Sequence, residues 1–388
     1  MYKYCIVFFA DTKEIIMAWF NILKYPRFAS KVYNTYRKSG SNGNPGLIHQ
    51  GKEIYKLHKL NLLEPEEYQF YQLYKTDLPW EEKQKFLSHN QYCLMETNLN
   101  PRKDVGVMNK MVFSCFGRFL GLPVPEMYGI FEANFGYTLD GDDLRTAADL
   151  ERFFHKYDET DFLIKPIGGA KGIGITKCRA DGNSQVKIYG EGTIATTELF
   201  NRLRDTGYCK SKYVPDTYIV EKAVKQHPFL DNFCNTSTQT IRVVTFIDST
   251  GRIEILTTHL KMARKGSIVD NVIISNLAAH IDEDGVLDCA ITTLDNEIIK
   301  YENHPDTGYP VKGQKIPYFK EAVELAIKAQ TRVHHLRTIG WDIAISDKGP
   351  VIIEGNYGWD HSTIQRITRR GLIKGSFEVE LRKMMAGR

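Results

Sequence analysis

The sequence lacks the features that would place it among membrane, exported or disulfide-rich proteins. No stretch approaches the roughly 18 apolar residues that a membrane-spanning helix needs. The short apolar run at residues 4–9 is followed by no small-residue cleavage site, so no export signal is predicted. The 7 cysteines are odd in number, widely scattered and without a Cys-x-x-Cys pair, which argues against a disulfide framework or a zinc site. We therefore expect a cytoplasmic protein.

An excess of charge of one sign is also missing. Lysine and arginine total 51 and aspartate and glutamate total 47, so the net charge is only +4, and the two signs are interspersed. This balance does not favour a nucleic-acid partner. With 388 residues, 42% of them hydrophobic and 25% charged, the chain can bury a normal core in two or three domains. These values exclude the disordered and fibrous classes.

The pattern of the chain changes near residue 105. Before this point the spacing of apolar residues is mostly helical, apart from a Gly/Ser/Asn loop at residues 39–46. After it, a predicted helix at residues 109–120 precedes alternating strands and helices. The predicted strands are residues 162–166, 175–178, 218–221, 240–246, 253–256, 341–345 and 351–354. The longest helical pattern lies at residues 317–337.

One phosphate-binding motif is present in spacing only. Residues 46–53 place their glycines and Lys52 as a P-loop does, but Glu53 stands where that motif needs a hydroxyl group to bind magnesium. A polar loop precedes the segment, whereas a P-loop follows a buried strand. We therefore predict that this segment does not bind phosphate.

A second glycine-rich segment follows the strand that contains Lys165. Its glycines are Gly168, Gly169, Gly172 and Gly174. Glycine lets backbone N–H groups approach phosphate oxygens closely, and Lys165 would add a positive charge there. The spacing is not that of a dinucleotide-binding turn, and too few residues remain for a helix before the next strand. The segment therefore indicates either a phosphate-binding loop or an ordinary β-hairpin turn.

The last two predicted strands bring two carboxylates together. Asp342 lies on the first strand, and Glu354 and Asn356 lie on the second, beyond a turn at residues 347–350. A hairpin would place Asp342 and Glu354 at nearly the same level, with an amide oxygen beside them. Such an all-oxygen set suits Mg²⁺ bound together with phosphates. The alternative is a pair of solvated strand-end charges, but both residues are embedded in apolar runs, and burial of an unpaired carboxylate is unfavourable.

The order of these pieces resembles the ATP-grasp superfamily, which includes D-alanine–D-alanine ligase and biotin carboxylase. Within it, the chain is most similar to the sugar-transfer-associated ATP-grasp proteins found with surface-polysaccharide genes. The segments that carry the resemblance are residues 220–228, 235–245, 269–271 (Val-Asp-Asn) and 340–344 (Gly-Trp-Asp-Ile-Ala). It covers about residues 106–360.

The resemblance implies an α+β fold in which two lobes clamp ATP. Residues 106–225 would form the small lobe with the phosphate loop, and residues 226–388 the large lobe with the Mg²⁺ site. Residues 1–105 would form a mostly helical region, which could bind the acceptor substrate.

The resemblance also implies roles for single residues. Lys110 and Lys165 would contact the ATP phosphates, and residues 168–174 would form the flexible phosphate loop. The adenine amino group would bind Glu221, and the adenine edge would follow the backbone of Lys222 and Ala223. Two Mg²⁺ ions would be held by Asp342, Glu354 and Asn356.

The acceptor side of the pattern departs from other members. Many ligases have a basic residue close before the first metal aspartate, whereas Gly340 and Trp341 precede Asp342 here. Many continue after Glu-x-Asn with a small residue and proline, whereas residues 357–360 read Tyr-Gly-Trp-Asp. Three basic residues are candidates for neutralising charge during the reaction: Arg242, Lys261 and Arg264. Arg242 could contact an acyl phosphate, and Lys261 and Arg264 the γ-phosphate; the alternatives are a surface arginine and a solvated hairpin end.

These expectations converge on an ADP-forming carboxylate–amine ligase. Its substrates would be a small-molecule carboxylate and an amine; the resemblance implies a uronic-acid sugar or a nucleotide sugar as one of them and an amino acid or another amine as the other. Two other functions stay open from the sequence. One is an ATP-grasp kinase that phosphorylates a hydroxyl group or a histidine, and the other is a non-catalytic ATP-binding regulatory protein.

Overall fold

A computed structural model describes most of the chain. The described residues are 22–39, 44–101, 109–168, 172–182, 184–205, 216–267, 270, 276–294 and 297–387. They divide into two compact units. Unit 1 consists of Met1–Pro101, Asp248–Leu256 and Asp360–Arg388, and unit 2 of Arg102–Ile247 and Thr257–Trp359. No helix in the described ranges is both long and apolar enough to cross a membrane.

The helices and strands of the described residues are numbered here in chain order. The helices are α1 Pro26–Ser39, α2 Leu47–Asn61, α3 Pro65–Phe70, α4 Trp80–Lys83, α5 His89–Leu99, α6 Lys110–Phe119, α7 Ala147–Lys156, α8 Thr196–Asp205, α9 Pro228–Asp231, α10 Phe319–Arg332, α11 His361–Thr368 and α12 Gly375–Ala386. The strands are β1 Met127–Phe131, β2 Tyr137–Thr138, β3 Phe162–Pro166, β4 Thr176–Ala180, β5 Gln185–Ile188, β6 Gly192–Ala195, β7 Tyr218–Lys222, β8 Thr240–Ile247, β9 Ile253–Met262, β10 Leu277–Ile281, β11 Leu287–Leu294, β12 Glu297–Tyr301, β13 Thr338–Ser346 and β14 Gly349–Asn356.

Unit 1 is mainly helical and is built from both ends of the chain. The side chain of Gln365 on α11 accepts from the backbone N–H of Leu87 at 2.7 Å and donates to its carbonyl at 2.9 Å. Arg382 on α12 donates to the carbonyl of Leu60 at 2.6 Å. The buried faces of α11 and α12 include Ile364 and Phe377. The last 29 residues are therefore an integral part of this helical unit.

The P-loop-like spacing at residues 46–53 forms part of a helix. Gly46 is the N-cap of α2, and Glu53 lies within that helix. The carboxylate of Glu53 accepts from Lys83 Nζ at 2.9 and 3.0 Å and from the Tyr68 hydroxyl at 2.5 Å. A helix interior with a buried ion pair offers no phosphate cradle, so the prediction that this segment is not a P-loop is confirmed.

The first sheet of unit 2 has the strand order β2-β1-β7-β3-β4-β5-β6 and is antiparallel throughout. One face packs against α7 and α8 around Phe131, Phe162 and Tyr218. Because side chains alternate along a strand, Lys165 of β3 and Glu221 of β7 lie on the opposite face. That second face also carries a small apolar cluster of Met127, Ile130 and Ile219.

The second sheet of unit 2 has the order β12-β11-β10-β9-β8-β13-β14. The chain passes from the first sheet to the second directly after β7, where Gln226 forms a bridge with Ser346 and the N–H of His227 donates to the Ile345 carbonyl at 2.8 Å. One face of the sheet is covered by α10, whose Gln330 accepts from Thr245 at 2.5 Å. The other face carries the charged residues described below.

The predicted elements after residue 105 are confirmed, and so is the α+β class. The predicted strands all form, and several are longer than predicted. The helix predicted at 109–120 begins after Asn109, whose side chain accepts from Met111 and Val112, and it ends before Gly121. The helix predicted at 317–337 ends at Arg332. Its apolar pattern continues through Val333 and Leu336 because these residues are buried in the following turn.

Candidate active site

Lys165 and Glu221 form a buried ion pair on the first sheet. Lys165 stands opposite Ile219 and Glu221 opposite Leu163, so the two side chains are diagonal neighbours on adjacent strands. Each is only 3% exposed, and the ammonium group contacts the carboxylate. Each charge is stable at this depth because the other neutralises it. The predicted phosphate lysine and the predicted adenine ligand are thus brought together.

Lys110 links this pair to the second sheet. It is the first residue of α6, and its backbone N–H donates to the Ile167 carbonyl at 3.3 Å. Burial lowers the pKa of Lys110; Glu354 and Glu221 act to raise it, and Lys165 lowers it further. Lys110 therefore lies within electrostatic reach of residues from both sheets, and the structure gathers four of the predicted site residues in one place.

The glycine segment connects β3 to β4 as an antiparallel hairpin. Gly172 has φ +74° and Gly174 has φ +76°, in the left-handed region that residues with a Cβ avoid. A Cβ at Gly168 would meet no atom within 4 Å, so this position is open. Gly169 lies outside the described residues, as do Val269 and Asn271 of the motif at 269–271. The predicted strand–loop–strand order is confirmed, and phosphate binding by the loop remains a prediction.

A β-bulge brings the two predicted metal carboxylates onto one face. From the turn, Ser346 pairs with Gly349 and each further residue pairs in step as far as Ile343 with Ile352. The register then shifts by one residue, so that Asp342 pairs with Glu354. Without this extra residue, Ile353 would stand opposite Asp342, and Glu354 would point to the helix-covered face.

Asp342 is held by two cations from neighbouring strands. Arg242 on β8, its direct cross-strand partner, donates to both carboxylate oxygens, with Nη2 to Oδ2 at 2.8 Å. Lys261 Nζ on β9 donates to Oδ2 at 3.0 Å. Burial alone would raise the pKa of Asp342, but Arg242 and Lys261 outweigh it and hold the pKa far below the usual range. We call Glu354, Asp342, Arg242 and Lys261, on four adjacent strands, the charged row.

The absence of a side chain at Gly340 makes room for Arg242. A Cβ at Gly340 would lie 3.2 Å from Arg242 Cδ, 3.4 Å from Arg242 Nη1 and 2.8 Å from the Cβ of Trp359. Trp359 is fixed in turn by a hydrogen bond from its Nε1 to the Thr338 hydroxyl at 2.9 Å. No basic residue directly precedes Asp342 in the sequence. In the structure, the neighbouring strand β8 places the basic residue Arg242 beside it.

The predicted metal ligands form a hard oxygen donor set that suits Mg²⁺. Asn356 Nδ2 donates to Glu354 Oε1 at 3.2 Å, which leaves the amide oxygen of Asn356 for another partner. Among the described residues, no group of three or more His, Cys, Asp or Glu side chains could hold a metal ion. The predicted Mg²⁺ ligands thus comprise two carboxylates, Asp342 and Glu354, and one amide, Asn356.

Three other predicted residues have contacts of their own. Arg264 donates two hydrogen bonds to Asp306, at 2.6 and 2.7 Å, rather than to the charged row. The backbone N–H groups of Lys222 and Ala223 donate to the carbonyls of Glu126 and Asp161, each at 2.8 Å. An adenine contact at these two residues would therefore have to use other atoms, and the roles of all three residues remain predictions.

The sequence analysis missed two histidines beside the charged row. His259 precedes Lys261 by two residues on β9, and His280 on β10 is its cross-strand partner. Period-two alternation with Lys261 is the signal that could have indicated His259, since residues i and i+2 share a face of a strand.

Comparison with known proteins agrees with this architecture. A model of the sugar-transfer associated ATP-grasp family matches residues 91–380. No curated protein matches the sequence. Similar solved structures include D-alanyl-alanine synthetase A from Vibrio cholerae, which has 12% identity and a TM-score of 0.41 over 72% of this chain and 66% of that protein.

Two further solved structures are comparable. The ADP complex of N5-carboxyaminoimidazole ribonucleotide synthetase has 11% identity and a TM-score of 0.37 over 66% of this chain and 46% of that protein. The L-amino acid ligase from Bacillus licheniformis has 13% identity and a TM-score of 0.37 over 72% and 48%. The matched part of the chain thus spans from under half to two thirds of these proteins. The family match covers most of the chain, and the fold is the ATP-grasp fold. The chain belongs to the sugar-transfer associated ATP-grasp family.

Proposed function

We propose that this protein is an ATP-dependent carboxylate–amine ligase that forms an amide and releases ADP and phosphate. The observation that carries the proposal is the convergence of Lys110, the Lys165–Glu221 pair and the charged row. It gives one site both the cations that phosphoryl transfer needs and the oxygen donors that suit Mg²⁺. Many ATP-binding proteins need only the cations.

In the first step the substrate carboxylate would attack the γ-phosphate of ATP, giving an acyl phosphate and ADP. Lys110 and Lys165 would bind the phosphates, and Lys165 is held in place by Glu221. The low pKa of Asp342 keeps that carboxylate ionised at neutral pH. Asp342, Glu354 and Asn356 would hold Mg²⁺, which would supply charge neutralisation between the β- and γ-phosphates. The presence of two ions is part of this proposal.

In the second step an amine would displace phosphate from the acyl phosphate. The carbonyl oxygen gains negative charge as the amine attacks, and a fixed cation stabilises that charge. Arg242 suits this role because its hydrogen bonds to Asp342 use Nε and Nη2. Its Nη1 lies next to Gly340, which has no side chain. Arg242 is therefore our candidate for the oxyanion contact.

We further propose that the carboxylate belongs to a uronic acid, free or in a nucleotide sugar, and that the amine belongs to an amino acid. This part of the proposal is supported by the family, which is associated with sugar transfer. The unusual residues around the acceptor side, Gly340 and Trp359 among them, agree with a substrate unlike those of other ligases.

The test is an ADP-release screen followed by trapping of the intermediate. The carboxylates are D-glucuronate, D-galacturonate and UDP-glucuronate, and the amines are the methyl esters of alanine, serine, threonine and lysine. We expect one pair to give ADP release that needs both members. With the amine replaced by hydroxylamine, the carboxylate should then yield a hydroxamate. A stable phosphorylated product without hydroxamate would show instead that the protein is a kinase.

A further inference from the structure

Over the whole chain the two signs of charge nearly balance, but residues 22–61 are an exception. This stretch has one acidic residue, Glu53, and eight basic ones: Lys24, Arg27, Lys31, Arg37, Lys38, Lys52, Lys56 and Lys59. Its net charge is +7, whereas the rest of the chain, with 43 basic and 46 acidic residues, carries −3. Glu53 does not offset this charge at the surface, because it is buried and paired with Lys83. A local positive excess in an otherwise slightly acidic chain indicates an anionic partner for this segment.

Helix α1 separates its charged residues from its apolar ones. Val32 is fully buried in the apolar cluster of unit 1. Arg27, Arg37 and Lys38 are all exposed, and the helix has no acidic residue. Arg27 and Lys38 lie on the same side of the helix, because eleven residues make about three turns. Lys24, two residues before the helix, is exposed as well.

Most of these cations are not neutralised by the protein. Lys31 is the paired one: its Nζ lies 2.9 Å from the carboxylate of Glu64 and 3.5 Å from that of Glu66. The four exposed cations of this region that have no acidic partner among the described residues are called the cationic face: Lys24, Arg27, Arg37 and Lys38. Exposed charges of one sign add to a single positive potential in the surrounding solvent.

Large apolar side chains lie among these cations. Leu23 is 64% exposed, Tyr25 62% and Tyr33 52%. The described residues expose thirteen large hydrophobic side chains in all, and three of them fall between residues 23 and 33. A lipid bilayer suits both kinds of group, because anionic phosphates cover an apolar boundary where tyrosine is enriched. The backbone of a nucleic-acid duplex would use the cations alone.

We propose that the cationic face docks this protein onto the surface of an anionic lipid bilayer. The four cations would contact headgroup phosphates, and Leu23, Tyr25 and Tyr33 would enter the boundary between headgroups and acyl chains. The attachment is peripheral, since the apolar face of α1 belongs to the core of unit 1. Each lysine or arginine near such a surface strengthens binding roughly five-fold. This inference does not depend on the proposed ligase function.

The test is sedimentation of the full-length protein with vesicles of phosphatidylcholine, either alone or mixed equally with phosphatidylglycerol. Wild-type protein should bind the mixed vesicles and stay in solution with phosphatidylcholine alone. A rise in salt from about 0.1 M to about 1 M should release it, because the Debye length falls from about 10 Å to about 3 Å. Arg37→Gln together with Lys38→Gln should lower the partition coefficient roughly 25-fold, five-fold for each charge.

A matched control removes two charges elsewhere. Lys320→Gln together with Arg332→Gln takes one exposed lysine and one exposed arginine from α10, and this variant should bind as wild type does. Because Arg37 and Lys38 lie in the last turn of α1, the thermal midpoint of each variant checks that the fold is kept. Tyr33→Ser should weaken vesicle binding several-fold without changing the net charge.

Three results would overturn the inference. One is equal vesicle binding by the folded α1 variant and the α10 control, and another is binding that does not weaken with salt. The third is wild-type protein that ignores the mixed vesicles and binds a DNA duplex of the same phosphate concentration, because the cationic face would then serve a nucleic acid.

Discussion

Glu354 is the residue whose charge can be removed with the least structural disturbance. It is only half-buried, and its described contact is the hydrogen bond from Asn356. Asp342, by contrast, neutralises two buried cations, so its loss would also destabilise the fold by about 3–5 kcal/mol. We expect Glu354→Gln to lower ADP release at least about 100-fold, because one negative metal ligand is lost while the size is kept.

The measurement is ADP release at saturating ATP, with the thermal midpoint as the check on folding. Glu283→Gln, on an exposed turn, is the matched control and should leave both values unchanged. Near wild-type turnover in folded Glu354→Gln would contradict the proposal that Glu354 is a Mg²⁺ ligand.

His361 in unit 1 should make the stability depend on pH. Its ring stacks on Tyr92 at 4.1 Å, and burial lowers its pKa to about 4, with His89 lowering and Asp360 raising it. In the unfolded chain its pKa is about 6.5. Between these values the unfolded chain binds a proton that the folded chain does not, so stability falls as the pH falls from 6.5 towards 4. From pH 7.5 to pH 5 the loss is about 2 kcal/mol.

His361→Phe keeps a ring on Tyr92 and removes this titration. Urea unfolding at pH 7.5 and pH 5 should therefore show a stability loss that is about 2 kcal/mol smaller in the variant than in wild type. If both proteins lose the same stability between the two pH values, His361 is not the group that titrates.

At the residue scale, the sequence predicts charged groups better than neutral ones. Asp342 and Glu354 could be identified because a carboxylate in an apolar run needs a partner. Arg242 could be proposed for the same face as Asp342 because it is the charged residue in an otherwise apolar strand pattern at residues 240–246. His259 could not, since a histidine in an apolar strand is usually part of the core.

Among the elements, the β13–β14 hairpin shows what a strand pattern leaves open. The turn and both strands follow from alternating apolar residues and the glycine at 349. The bulge that moves Glu354 opposite Asp342 does not, because nothing in the sequence marks Ile353 as the extra residue. The pairing of β8 with β13 fixes the face on which Asp342 and Arg242 lie, and the bulge then brings Glu354 to that face. The level at which Asp342 and Glu354 meet was thus predictable from the turn, whereas the bulge that puts both side chains on one face was not.

The β3–β4 loop is expected to depend on its left-handed glycines. An alanine at Gly174 would strain the backbone by about 1–2 kcal/mol, which the loop can relieve by moving away from the position that the proposed phosphate contact needs. We expect Gly174→Ala to raise the KM for ATP several-fold. Gly251→Ala, which puts a similar backbone strain at the open turn between β8 and β9, is the matched control. Steady-state kinetics that shift equally in both variants, or in neither, would contradict a phosphate role for the loop.

At the scale of the whole molecule, neither end of the chain can be removed alone. A chain that ends at residue 359 lacks Gln365 and Arg382, and the polar groups of Leu87 and Leu60 lose these partners. A chain that begins at residue 102 lacks the N-terminal part of unit 1. Ile364, Phe377 and the other buried residues of α11 and α12 then lose the helices of their own unit. Each truncation alone should aggregate, because it exposes core surface that the other end covers.

Removal of both segments should be less harmful than removal of either. Soluble yield and size-exclusion chromatography of the three shortened chains test this expectation. A monomeric, well-folded chain ending at residue 359 would show that unit 1 does not need its C-terminal helices.

The division of unit 1 among distant segments has a consequence for synthesis on the ribosome. Its first segment ends at Pro101 and its last begins at Asp360, so about 260 residues emerge between them. At roughly 5–20 residues per second, the N-terminal helices wait on the order of 13–50 seconds for the helices that complete their core. During that time their apolar faces are available to chaperones, and at its end all of unit 2 has been translated. The protein is therefore expected to finish unit 2 first and to complete its helical unit only after residues 360–388 have emerged from the ribosome.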